Sequence, residues 1–291
     1  MSGKLDITPY FFSENWLNIL DEVTFFSKKS RLVWYRGQTN NGSENGRYPL
    51  LSGLFRQRFS LDKILEWEEI CYRRFLENGF DLHKTENQWD LLYIMQQYGV
   101  KTRLLDWSES FAVALYFATK DWNDQIPCSI WLLDPFRLNQ LFHDLDELKS
   151  MPKTNCFLDE RQEFKKSMAL SPRMNTSRSM FQKGYFTLQG NTKQGLEKED
   201  EGVLLKERIL KHIQIDGALK NDVELFLNLS GINQFTLFPD LSGLASYVNQ
   251  WTTIDLLKKK IQDETNYGES KLFRETAKGP ELWAEDQKTY E

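Results

Sequence analysis

Cysteine is scarce in these 291 residues: Cys71, Cys128 and Cys156 are widely spaced and form no pair with zinc-like or redox-like spacing. A disulfide framework is therefore excluded, and free buried thiols in a reducing compartment are expected. Histidine is equally rare. His83, His143 and His212 fall on unrelated segments, so a histidine triad or a metal centre has no material and no metal is expected. Basic runs are short, the longest being Lys258-Lys259-Lys260, and 37 Lys and Arg stand against 42 Asp and Glu for a net charge of −5. Most non-specific duplex affinity comes from a basic stripe that neutralises phosphates, so general duplex DNA binding is disfavoured. No uncharged apolar stretch reaches the about 18 residues of a membrane span. The opening Met1-Ser2-Gly3-Lys4-Leu5-Asp6 has no apolar signal-peptide core. A cytoplasmic protein with no membrane association is the expectation. Also missing are Gly-x-Gly-x-x-Gly, Walker-type, Gly-x-Ser-x-Gly and His-Glu-x-x-His patterns, and paired carboxylates suited to two metals, which disfavours a nuclease.

Aromatic residues, by contrast, are plentiful. Apolar residues make up 40% and aromatics 14%, with 9 Trp, 11 Tyr and 20 Phe, enough to bury a large core without disulfides or metals. The pattern predicts one α+β core over 30–250, an N-terminal extension over 1–29, and a charged, peripheral tail over 251–291, where hydrophobes thin out. Arg31 to Gly37 reads as a strand ending in a polar loop. Leu61 to Asn78 reads as a helix stopped by Asn78-Gly79, and Gln88 to Tyr98 as a second ending at Gly99. Ser108 to Trp122 is predicted to be an alanine-rich helix capped by Ser108. Cys128 to Asp134 is a buried strand stopped by Pro135, and Ser179 to Leu188 another strand, interrupted by Gly184. Residues 204–215 carry no clean period, and helix and strand both stay open there. Val223 to Leu229 and Leu241 to Trp251 are expected to be helical.

Three constellations carry chemistry. In Trp34-Tyr35-Arg36-Gly37-Gln38, a strand-end Arg could grip a phosphate or carboxylate with its planar fork while Gly37 lets a ligand approach the backbone. A buried Arg paired with an internal Asp is the alternative. In Gln96 to Glu109, Lys101, Arg103, Asp106 and Glu109 form a polar loop facing the anion-attracting start of the alanine-rich helix. Arg103 and Asp106 pairing to lock that loop is the alternative. In Arg178 to Thr187, Gln182 and Gly184 interrupt an aromatic strand, as at a bulge, at a close ligand approach, or in an ordinary edge strand.

Five phrases in order resemble the successive signatures of the FRG-domain family: Tyr35-Arg36-Gly37, Gln97-Tyr98-Gly99-Val100-Lys101-Thr102-Arg103-Leu104-Leu105-Asp106-Trp107, Ala114-Leu115-Tyr116-Phe117-Ala118, Gln182-Lys183-Gly184-Tyr185-Phe186 and Leu237-Phe238-Pro239-Asp240-Leu241. The chain departs from the family at Gln97, where members often carry His, and in Tyr-Arg-Gly for Phe-Arg-Gly. The order of elements is similar to an ADP-ribosyltransferase-like arrangement, a split, mixed or antiparallel sheet flanked by helices that grips nicotinamide dinucleotide (NAD). By that analogy NAD is a substrate, with Tyr35, Arg36, Gly37, Gln38, Arg103 and Asp106 lining its site. Arg36 would grip the dinucleotide, Gln182 orient it, and Glu109 or Asp106 supply the acid. The resemblance implies an NAD-cleaving or ADP-ribosylating enzyme, a toxin or phage-defence effector, acting on a nucleotide-type small molecule and an unknown macromolecular target. Gln97 and the unplaced carboxylate favour a second reading, a non-catalytic ligand-sensing or protein-interaction module.

Overall fold

In a computed structural model, residues 12–40, 48–85, 87–150, 157–171 and 184–249, with 252 and 256, are described. Seven strands make one sheet in the order β4-β5-β6-β2-β1-β3-β7: β1 Trp34–Gln38, β2 Leu104–Ser108, β3 Cys128–Leu133, β4 Lys149–Ser150, β5 Met168–Ser171, β6 Gly184–Leu188 and β7 Leu210–Ile215. Six strands run antiparallel, and the two-residue β4 joins β5 in parallel at the edge. The expected mixed α and β architecture is present. No helix among the described residues is long and apolar enough to cross a membrane.

Register assigns the two faces. Tyr35 pairs with Ser108, and side chains alternate along a strand, so Tyr35, Gly37, Leu104, Asp106 and Ser108 share one face. Helices cover that face in two groups. On the β1-β3-β7 half lie α1 (Glu14–Lys29), α4 (Phe111–Thr119) and α6 (Lys220–Leu229), burying Trp16, Ile19, Val23 and Phe26 against Ile130, Leu132, Ile213 and Ile215. On the β2-β6-β5 half lie α2 (Leu61–His83) and α3 (Gln88–Gln97), burying Tyr72, Trp89, Leu92 and Met95 against Leu104, Phe186 and Leu188. The opposite face buries Trp34, Leu105, Trp107 and Trp131 beneath α5 (Pro135–His143) and the segment around Leu196 and Leu204.

Several elements differ from their sequence-based expectation. The block before α4 is a central strand, β2, rather than a loop. Leu104, Leu105, Trp107 and Ser108 are all buried, and burial on both faces erases the alternation that marks a strand. α4 consequently starts at Phe111, with the Ser110 hydroxyl, not Ser108, accepting from the Val113 N–H. α2 runs through Asn78-Gly79 to His83 and ends at Lys84 in the left-handed region; an interior glycine costs a helix only about 1 kcal/mol, too little to end it there. Pro135 both stops β3 and opens α5, with Asp134 capping. The undecided 204–215 is a turn of helix, Val203–Lys206, followed by β7. The break expected at residue 30 is absent, because α1 is part of the core. Of the strand expected from Ser179, only Gly184–Leu188 is described; Ser179 to Lys183 lie outside the described residues, as do Cys156 and nearly all of the 251–291 tail. Cys71 is half-buried and Cys128 buried, both free.

The Asp222 carboxylate accepts from the Ser13 N–H and from its hydroxyl, both at 2.8 Å, while Ser13 Oγ caps α1 by accepting from Trp16 N–H. Asp222→Ala should therefore lower stability by about 1–3 kcal/mol, with Asp222→Asn losing less, in chemical denaturation followed by circular dichroism. Equal stability of parent and Asp222→Ala would show that α1 docks on its apolar face alone.

Candidate functional site

β1 and β2 touch at a single residue pair, Tyr35 and Ser108, whereas β1 pairs with β3 along its whole length. Beyond Tyr35 the two strands part. The sheet is split there, and a cleft of about 570 Å³ occupies the split, walled by α3 on one side and α4 on the other. Its volume falls in the usual range of small-molecule sites. The two helix groups cannot meet across the split, so Val113, Ala114 and Phe117 face Gln96 and Gln97 over a floor that includes Asp106, Gly184 and Phe186.

Arg36 bridges the split. Its Nη1 donates to the Asp106 backbone carbonyl at 2.6 Å and lies 4.0 Å from the Asp106 carboxylate, taking up an acceptor that the parting of the strands leaves without its ladder partner. Arg36 Nε is buried and has no hydrogen-bond partner among the described residues. Burial pushes the guanidinium down to about 10, with Asp106 opposing that fall and Arg56 adding to it. The charge remains in place at neutral pH, held at a desolvation cost that an anion would relieve. The Asp106 carboxylate accepts from Gln96 Nε2 at 2.9 Å, and Gln96 in turn accepts from the Thr102 hydroxyl.

Other expected site residues have their side chains committed elsewhere. Tyr35 lines the cleft, but its ring packs edge-on against Phe111 and its hydroxyl shares a hydrogen bond with Ser27. Gln38 also lines it while its carbonyl oxygen accepts from Trp131 Nε1 at 2.9 Å. A Cβ on Gly37 would sit 1.7 Å from the Ala114 carbonyl oxygen, so glycine is required by the α4 backbone rather than by a ligand. Glu109 is not in the lining; it accepts a hydrogen bond from Tyr185, whose hydroxyl is pushed up to about 12 by burial and by Glu109. The Tyr185 ring lines the cleft and stacks on Trp34 with centroids 4.9 Å apart. Gln182 lies outside the described residues.

Arg103 is a correction. It neither lines the cleft nor pairs with Asp106: it is fully buried and forks onto Glu68 of α2, Nε to Oε1 at 2.7 Å and Nη2 to Oε2 at 2.5 Å. Nη1 reaches the Gln189 carbonyl at 3.3 Å and Asn191 at 3.1 Å, with Phe55, Phe157 and Phe164 around the guanidinium. Arg103 precedes β2 and turns under α2, whereas Asp106 lies within the strand with an exposed side chain, which separates the two. Tyr48 and Arg56 line the cleft without any signal in the sequence, since both belong to the irregular stretch between β1 and α2. Among the described residues no group of His, Cys, Asp and Glu could hold a metal ion.

Residues 31–126 match the family model of the FRG domain, which spans β1, β2, α4 and both walls of the cleft. No curated protein and no solved structure matches the chain. The chain contains an FRG domain over that span, and the sheet it starts is completed by later strands.

Proposed function

We propose that the FRG domain of this chain binds an anionic small molecule of the nucleotide class, NAD among them, in the split between β1 and β2. The observation that carries this reading is Arg36, a largely desolvated guanidinium whose side chain keeps some exposure and lines a concave site. Its charge is held at a desolvation cost, and a ligand anion placed against the exposed part of the side chain offsets that cost. Tyr185, Phe186 and Phe117 supply apolar surface suited to a flat base or nicotinamide ring.

One observation favours a second, catalytic reading. Asp106 puts a carboxylate in the same cleft, steadied by Gln96. Such a group can stabilise the oxocarbenium-like ribose formed as nicotinamide leaves NAD. The chain's own residues would then bind and orient the dinucleotide through Arg36 and steady developing positive charge through Asp106.

Isothermal titration with NAD and ADP, followed by chromatography for free nicotinamide, separates the two. Binding without nicotinamide release supports the module, and release abolished in Asp106→Asn supports the enzyme. Arg36→Lys should weaken binding by about ten-fold, since a point charge cannot make two parallel hydrogen bonds. Arg36→Ala should also lower the melting temperature, because the Asp106 carbonyl loses its donor. Unchanged affinity in both variants would remove Arg36 from the ligand and leave it a strut across the split.

A further inference from the structure

Three charged side chains line the cleft: Arg36, Arg56 and Asp106. A chain with a net charge of −5 thus presents two cations and one anion at this cleft. Arg56 approaches from the stretch preceding α2, separate from the wall that carries Arg36. Its Nε is anchored on the Leu51 carbonyl at 2.9 Å, which orients the fork and is its one side-chain hydrogen bond among the described residues. The charge of Asp106 acts on both guanidinium groups.

We infer that the cleft takes a phosphate-bearing ligand clamped between Arg36 and Arg56, with Asp106 as the counter-ion that the phosphate displaces. The inference rests on the nucleotide-class reading above and narrows it to the phosphate, assigning Arg56 as the second gripping residue. Two forks arriving from different walls suit a tetrahedral group. A planar carboxylate fills one fork, whereas phosphate and pyrophosphate present oxygens in more than one plane and satisfy two. Asp106 holds the pair in the meantime through its neighbouring charge; the same Oδ2 faces Arg36 and accepts from Gln96, so displacement frees the exposed carboxylate from both and turns it toward water. Like charges so close together repel, and this repulsion favours a ligand carrying more negative charge than the single carboxylate it replaces.

The test titrates the full chain with ADP, adenosine and inorganic pyrophosphate by calorimetry, with melting temperatures to confirm folding. ADP should bind at least about ten-fold more tightly than adenosine, and its affinity should fall with added salt. Arg56→Gln should abolish that preference while leaving adenosine affinity within about two-fold; Arg56 is exposed, so the fold should tolerate the change. Asp106→Asn should tighten ADP and pyrophosphate several-fold by removing the competing anion. Equal affinity for ADP and adenosine, or an ADP preference that survives in Arg56→Gln, would overturn the phosphate clamp while leaving a nucleoside-binding cleft. Unchanged or weaker phosphate binding in Asp106→Asn would overturn the counter-ion role. Failure of all three probes to bind would overturn the nucleotide-class reading itself, and the clamp with it.

Discussion

Glu68→Gln is expected to destabilise the protein by about 3–5 kcal/mol, because it leaves the Arg103 charge buried and uncompensated. The pair is a two-pronged fork with both partners inside: Arg103 is 0% and Glu68 3% exposed. It ties α2 to the start of β2, and through Asn191 and the Gln189 carbonyl to the segment after β6. Taking a guanidinium out of water is tolerated only while nearly all its donors are matched, and Gln offers one acceptor oxygen where Glu offers two charged ones. A denaturant series on Glu68→Gln, Arg103→Met and the double variant Glu68→Leu/Arg103→Met measures the effect. Each single change should cost several kcal/mol and the double variant substantially less than their sum, since an apolar pair removes the unpaired charge. Additive losses would show that the two side chains act independently, against the geometry seen here.

Gly37→Ala is expected to have a comparably large effect, more than about 3 kcal/mol and beyond ordinary overpacking. The added Cβ would lie 1.7 Å from the Ala114 carbonyl oxygen and 2.8 Å from the Ala118 N–H, which are backbone atoms that no rotamer change can move aside. β1 would have to lift from α4, disturbing both the core and the cleft wall that the two elements share. Gly53→Ala is the matched control. Its Cβ would meet only Lys101, at 3.7 Å, and the reduced freedom of the unfolded chain makes a change within about 1 kcal/mol, of either sign, the expectation. Thermal melts of both variants, read beside ADP binding, check the argument. A Gly37→Ala protein as stable as Gly53→Ala would mean that α4 and β1 can separate at little cost.

The legible parts of the fold were those with local causes. Helix α2 announced itself by its apolar spacing, and β3 by a largely apolar run stopped at Pro135. The alanine-rich α4 was legible as a helix, and the structure shows what its small side chains permit, a backbone approach to Gly37. Glu68 was readable in hindsight, since it lies midway between Ile64 and Tyr72 on the buried side of α2, one helical turn from each. Arg103 was misassigned because its partner sits 35 residues upstream, and spacing within a short block favoured Asp106. Strand β2 was hidden for the related reason that a strand buried on both faces shows no alternation.

By itself, then, the sequence determined the class of the protein: a mixed α and β core rich in aromatics, an acidic chain poor in histidine and cysteine and lacking a phosphate-binding glycine loop, and Arg36 as a strand cation, which the structure sets at the centre of β1 and not at its end. These properties depend on composition and on neighbours a few residues apart, which a chain carries before it folds. Only the tertiary structure decided that β1 and β2 part after one residue pair, that Arg36 spans the gap, that Arg56 joins it from the other wall, and that Arg103 belongs to Glu68. Each of those outcomes depends on which distant segments share a face of the sheet. That choice is made by burying two separate helix groups side by side, and no local pattern encodes it.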